Sequence, residues 1–286
     1  MTIERVFVAG AGLMGHGIAQ VHAAAGREVT VYEPDIARAE AGIARITGNL
    51  DRAVAKGRLT EEARSGILSR ITGTADLADA EDADLVVEAV FEDVDVKSAL
   101  WAQLDGIVQE DAIFASNTSS IAIDRLAAAV SEPRRARFLG MHFFSPVPVM
   151  PLVELIRGSA TSDDAAEAVR ALAGDLGKQV IVSADRPGFI VNRILIPLLG
   201  EAMRAYEQGV GTAQDIDTGA KVGLNHPMGP LELSDFIGLD VVLGIMRVLH
   251  EGFGEPQFAP PAVLERLVAE GHLGQKTGRG FHAYPR

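Results

Sequence analysis

Val6-Phe7-Val8-Ala9-Gly10-Ala11-Gly12-Leu13-Met14-Gly15 is the stretch that decides the fold. Four apolar residues fit a buried strand, and G-x-G-x-x-G follows at once, opening a small-residue helical stretch over residues 14–25. In that setting Gly10 permits the tight turn, Gly12 lets backbone N–H groups approach a pyrophosphate, and Gly15 lets helix pack closely on strand. The helix N-terminus adds partial positive charge at the same place. Glycine-rich turns are common, so the motif by itself is weak; its position between strand and helix makes it informative. Gly10, Gly12, Leu13, Met14 and Gly15 are the residues expected to contact a dinucleotide.

Glu33 closes the next β-branched run, eighteen residues after Gly15. A Glu at a strand end is ordinarily a solvated charge. At this spacing it can accept hydrogen bonds from ribose hydroxyls and repel a 2′-phosphate, so NAD is the expected cofactor rather than NADP.

Outward from the motif, β-branched runs at residues 6–9, 29–32, 71–74, 85–89, 113–116, 138–141, 152–156 and 180–183 alternate with Ala-rich helical stretches. That alternation implies an α/β domain with a mainly parallel sheet and helices on both faces. Residues 35–69 read as two helices broken at Lys56-Gly57-Arg58, a helical hairpin longer than a plain crossover requires. Thr161-Ser162-Asp163-Asp164 offers N-cap chemistry for a helix to residue 176, with Gly177 at its C′ position. From Pro187 the β-branched runs stop, and helices are expected at 189–208, 215–222, 230–250 and 262–271. The predicted boundary lies near Asp185-Arg186-Pro187-Gly188, giving domains 1–186 and 187–286.

The chain of 286 residues is 48% hydrophobic and can bury a substantial core. It carries 39 acidic against 26 basic residues, net −13, a field that repels nucleic acid and anionic lipid; neither is an expected partner. With no Cys there is no thiol nucleophile, disulfide or Cys-based zinc site, which is compatible with a reducing, cytoplasmic location. The seven His form no H-E-x-x-H and no compact cluster, so no metal is expected. Residues 6–19 are apolar enough to imitate a signal-peptide core, but Glu4 spoils the basic segment such a peptide needs. The best apolar stretch, 188–203, is broken by Asn192, Arg193, Pro197 and Glu201, so no membrane span is read.

Gly140-Met-His142-Phe-Phe-Ser145-Pro-Val-Pro-Val-Met-Pro151-Leu-Val-Glu154 follows a strand and holds three prolines, which predicts a stiff loop presenting His142 at the sheet's edge. A positioned imidazole can take a hydroxyl proton near neutral pH, and Glu154 is the candidate carboxylate for its other nitrogen. Read as bare residues, a lone His beside two Phe is more often packed or on the surface, Ser119 or Ser120 can be a helix cap, and Asn192 can sit on an amphipathic surface.

Taken together, the glycine motif, Leu85-Val-Val-Glu-Ala-Val90 with Glu92 and Lys97, Ala115-Ser-Asn-Thr-Ser-Ser120, the His142–Glu154 segment, Pro187-Gly-Phe-Ile-Val-Asn-Arg193, His226-Pro-Met-Gly-Pro-Leu231, Gly238-Leu-Asp240 and Lys276-Thr-Gly-Arg-Gly-Phe281 resemble the 3-hydroxyacyl-CoA dehydrogenase family. The resemblance is to its short 3-hydroxybutyryl-CoA type and runs in order along almost the whole chain. It implies a Rossmann-type NAD-binding domain with an inserted helical hairpin, then an all-α C-terminal domain for substrate and homodimer contacts. It implies oxidation of an (S)-3-hydroxyacyl-CoA with His142 as base, Glu154 as its partner, and Ser119 and Asn192 on the reacting oxygen. Glu92, Lys97 and Asn117 match positions near the nicotinamide, though Lys97 reads equally as a solvated helix charge. Asn49 and Lys56 match CoA contacts, in a stretch made basic by Arg45, Arg52 and Arg58.

The chain departs from the family pattern at Glu33, where Asp is frequent, at Ser145, where many members have Asn, and at Pro151, where many short-chain members have Lys. Glu33 keeps the acidic logic, whereas Ser145 and Pro151 bear on acyl-chain length. The alternative readings are an NAD-dependent dehydrogenase of free hydroxy or sugar acids, and an NAD-binding protein without catalysis.

Overall fold

The computed structural model describes residues 2–284, which fall into two compact units that divide between Arg186 and Pro187. In the first unit eight strands form one sheet: β1 (Arg5–Ala9), β2 (Glu28–Tyr32), β3 (Ile71–Thr74), β4 (Leu85–Glu88), β5 (Ile113–Ser116), β6 (Phe138–Phe143), β7 (Leu152–Arg157) and β8 (Gln179–Ala184). Their order is β3-β2-β1-β4-β5-β6-β7-β8, with every pairing parallel except β6 against β7. The strand order reverses between β1 and β4, and at such a switch point a crevice opens beyond the strands' carboxyl ends.

Helices α1 (Gly15–Ala24), α2 (Ile36–Ala55), α3 (Glu61–Leu68), α4 (Val94–Asp105), α5 (Ile123–Ala127), α6 (Glu132–Arg135) and α7 (Asp163–Asp175) complete the unit. Local chemistry sets their ends. The Asp35 side chain accepts from Ala37 N to start α2, Thr60 caps α3, and Ser162 caps α7, whose exit turns on Gly177 at φ +70°. The core is built from the sheet's apolar residues, among them Val6, Val8, Val29, Val31, Leu85 and Val87, packed on Ile18, Ile46 and Leu50 of the helices.

The second unit is helical: α8 (Val191–Glu207), α9 (Ala213–Thr218), α10 (Pro230–Ile237), α11 (Leu239–Phe253) and α12 (Ala262–Ala269). Ile196, Leu199, Met203, Leu231, Leu243, Met246 and Leu264 form its core. Two expectations are corrected here. The single helix expected over 230–250 is two, because the chain breaks at Gly238 with φ +103°, a conformation that excludes a side chain. The helix expected over 215–222 ends at Thr218 and continues as a wider turn over Gly219–Gly223. No helix among the described residues is long and apolar enough to cross a membrane.

Candidate active site

Four strands of the first unit deliver the site residues at their carboxyl ends: Ala9 of β1 leads into the glycine turn, Glu88 ends β4, Ser116 ends β5, and His142 lies one residue before the end of β6. The expectation of a His held in a loop is thereby corrected. His142 is inside β6, and antiparallel pairing sets it directly opposite Glu154 of β7. Paired residues project to the same face of a sheet, so the two side chains meet without any loop to hold them.

His142 Nδ1 lies 2.7 Å from Glu154 Oε2, and Nε2 lies 3.0 Å from Ser119 Oγ. Glu154 is fully buried and His142 is 4% exposed. An ionised carboxylate only accepts, so the proton of a neutral His142 resides on Nδ1 and Nε2 is left basic, accepting from the Ser119 hydroxyl. Asn117 serves the same strand end, its Oδ1 accepting from Phe143 N at 2.8 Å.

The turn that carries Ser119 is organised by one carboxylate. Glu92 Oε1 accepts from Thr118 Oγ1 (2.5 Å), Ser119 N (2.9 Å), Ser120 N (3.1 Å) and Ser120 Oγ (2.9 Å), while Oε2 lies 3.2 Å from Lys97 Nζ. Burial works to raise the Glu92 pKa, but the Lys97 ammonium and the Thr118 and Ser120 hydroxyls prevail and hold it below the usual carboxylate range.

Lys97 is not a solvated helix charge. It is 1% exposed and pairs with Glu88 as well as Glu92. Glu88 also accepts from Ser116 Oγ at 2.6 Å and Val90 N at 2.9 Å, and burial pushes its pKa upward despite these partners. Glu88 and Ser116 escaped the sequence reading, although a signal was there: a Glu inside a buried apolar run, Leu85-Val-Val-Glu88, must be paired.

The glycine turn has the shape a dinucleotide needs. A Cβ on Gly10 would stand 2.6 Å from Ala89 O, and one on Gly15 would stand 1.8 Å from Gly10 O, so both positions are closed to side chains by backbone. A Cβ on Gly12 would meet nothing within 4 Å, and Gly12 and Leu13 are exposed while Met14 is half-buried and packs against the core. The turn is thus filled behind and open in front. Glu33 Oε1 accepts from Ala11 N at 2.7 Å, which fixes the acidic side chain against the turn.

Beside the turn a cleft of about 460 Å³ is lined by Leu13 and His16, by Asn49, Arg52, Lys56 and Arg58, and by residues 145–149. Arg52 Nη2 donates to Asn49 Oδ1 at 2.5 Å, and Asn49 Nδ2 donates to Gln20 Oε1 at 3.2 Å, joining α2 to α1. In an acidic chain, three cations on one cleft make a local site for an anion. Asn192 belongs to the second unit, as the buried second residue of α8. Among the described residues no group of three His, Asp or Glu is placed to hold a metal.

Residues 5–186 match the family described as 3-hydroxyacyl-CoA dehydrogenase, NAD binding domain, and residues 188–284 match its C-terminal domain. A 3-hydroxybutyryl-CoA dehydrogenase of Mycobacterium tuberculosis is 51% identical over 284 residues, covering 99% of both chains. The mitochondrial hydroxyacyl-coenzyme A dehydrogenase of Sus scrofa is 43% identical over 99% of this chain and 91% of its own. The crystal structure of an (S)-3-hydroxybutyryl-CoA dehydrogenase from Ralstonia eutropha superposes with a TM-score of 0.97 at 46% identity, with both chains fully covered. The chain is a member of the 3-hydroxyacyl-CoA dehydrogenase family, an NAD-dependent oxidoreductase with both of the family's domains in order.

Proposed function

We propose that the chain interconverts (S)-3-hydroxyacyl-CoA and 3-ketoacyl-CoA, with 3-hydroxybutyryl-CoA the expected substrate, and that His142 is its general base and acid. The carrying observation is the Ser119–His142–Glu154 relay at the carboxyl end of β6. The turn Gly10–Gly15 with Glu33 would hold NAD, which would supply the hydride acceptor for carbon 3. His142 Nε2 takes the hydroxyl proton in oxidation and returns it to the carbonyl oxygen in reduction. Glu154 stabilises the imidazolium formed, and Ser119 supplies a hydrogen bond to the reacting oxygen. Glu92, Lys97 and Asn117 hold the walls of the nicotinamide side, and Asn49 and Lys56 belong to the CoA side.

The test is NADH oxidation with acetoacetyl-CoA against free acetoacetate. Turnover that needs CoA supports the assignment; equal turnover of the free acid favours a hydroxy-acid dehydrogenase, and silence on both removes the short-chain reading.

Glu33 is proposed to read the adenosine ribose. Glu33→Ala should narrow the preference for NAD over NADP by about 10- to 100-fold, the scale of one or two hydrogen bonds to a charged group. Titrating both cofactors by NADH and NADPH fluorescence would decide it, and an unchanged ratio would assign ribose reading elsewhere.

The second unit leaves Ile194, Val222, Leu224 and Phe236 exposed, apolar surface that suits pairing between two copies. A homodimer is the expected assembly, located in the cytoplasm. Light scattering that returns one chain's mass at micromolar concentration would exclude it.

A further inference from the structure

One wall of the cleft beside the glycine turn is the segment 145–149, and it is braced from behind by Lys178. Lys178 Nζ donates to Val147 O at 2.6 Å and to Met150 O at 2.8 Å. Between those two carbonyls the chain folds on itself, Pro146 O accepting from both Val149 N and Met150 N at 2.9 Å. The next residue of the brace, Gln179, donates its backbone N–H to Pro151 O at 2.6 Å.

Val147 is 2% exposed, turned into the protein against Gly17 of α1, where an added Cβ would lie 2.9 Å from Val147 Cβ. Pro146, Pro148 and Val149 are exposed and line the cleft. Burial lowers the Lys178 pKa, as expected of an ammonium that has exchanged water for two carbonyls. A lysine that served only as surface charge would keep its water and its rotamer freedom.

We propose that Lys178 is a positioning residue for the acyl-CoA: its ammonium fixes the 146–150 turn as the rigid wall against which the nucleotide-bearing part of the substrate is held, in the cleft shared with Asn49, Arg52 and Lys56. The proposal rests on the reading of an acyl-CoA as substrate. Holding a wall in place lowers the cost of ordering it on binding, so the loss should appear in KM for substrates long enough to touch it.

Lys178→Met keeps the stem and removes the donors. The expected result is an increase of about tenfold in KM for acetoacetyl-CoA, a smaller fall in kcat, and less than about twofold change in KM for acetoacetyl-N-acetylcysteamine, which has no nucleotide. Lys178→Arg, which retains several N–H donors, should bring KM for the CoA ester back towards wild type. Hydrogen exchange should be faster at Val149 and Met150 in Lys178→Met than in wild type. If Lys178→Met does not fold, Lys178→Gln takes its place in each comparison. An unchanged KM for acetoacetyl-CoA, an equal rise with both substrates, or unchanged exchange at Val149 and Met150 would overturn the proposal. Failure of the wild type to use acetoacetyl-CoA would instead sink the substrate reading, and the exchange result would still judge the brace.

Discussion

His142→Ala should lower kcat for acetoacetyl-CoA reduction by about 10²- to 10⁴-fold, the usual contribution of a positioned acid–base group. The loss should be confined to chemistry. His142 sits on β6, whereas the turn that would hold the pyrophosphate joins β1 to α1, so NADH affinity should stay within about threefold of wild type. Removing the imidazole also takes from the fully buried Glu154 its 2.7 Å partner. Losing a buried hydrogen-bonded partner costs stability, so the variant should also melt earlier than wild type. Stopped-flow rates beside a fluorescence titration separate the two readouts. A fall in NADH affinity as large as the fall in rate would remove His142 from the role of base.

Arg134→Met should destabilise the first unit by about 3–5 kcal/mol, the cost of removing one partner from a buried charged network. Arg134 is 5% exposed; its guanidinium donates to Asp105 Oδ1 at 3.1 Å and to the carbonyls of Val108, Gln109, Glu110 and Ala112 at 2.8–3.1 Å. It also stacks over Phe114, 4.6 Å from the ring centroid, beside Trp101 and Phe138. Methionine fills the volume and donates nothing, so the Val108, Glu110 and Ala112 carbonyls lose the Arg134 donor, while Gln109 O keeps Ala112 N. Asp105 keeps Ser131 N and Ser131 Oγ, so the damage concentrates on the loop between α4 and β5. Denaturant melts followed by Trp101 fluorescence measure the change, and a loss below about 1 kcal/mol would mean the loop relaxes to water without penalty.

Arg134 also marks where sequence reading runs out. Glu132-Pro-Arg-Arg-Ala-Arg137 has the composition of a solvated turn, and nothing in its spacing distinguishes the one arginine that points inward. Lys97 is a similar case: its position on α4 suits a surface charge, and only the fold brings Glu88 and Glu92 to it. By contrast the eight strands were legible because β-branched runs alternate with long helical stretches, and the glycine turn because its residues have few other uses. The dyad was legible as two residue types, but its means of assembly was not. A segment with three prolines reads as a loop, and the antiparallel pairing that extends β6 through His142 depends on β7 returning beside it. Gly238 shows the same limit in the helical unit, since an isolated glycine within a periodic pattern is tolerated in a helix and does not by itself mark a break.

The lone antiparallel pairing of the sheet has a consequence for how such a protein can diversify. His142 and Glu154 stand on the arms of a hairpin whose tip, residues 144–151, carries the cleft-lining positions. A one-residue slip in the arms would turn the side chains of one strand to the opposite face, so their register tolerates no insertion. The tip is held instead by Lys178 and by Val147 against Gly17, contacts that leave the exposed Pro146, Pro148 and Val149 side chains free of that register. Side chains exposed at the tip can therefore be exchanged without moving the His142–Glu154 pair, which makes the hairpin a junction between a fixed chemical element and a changeable binding wall.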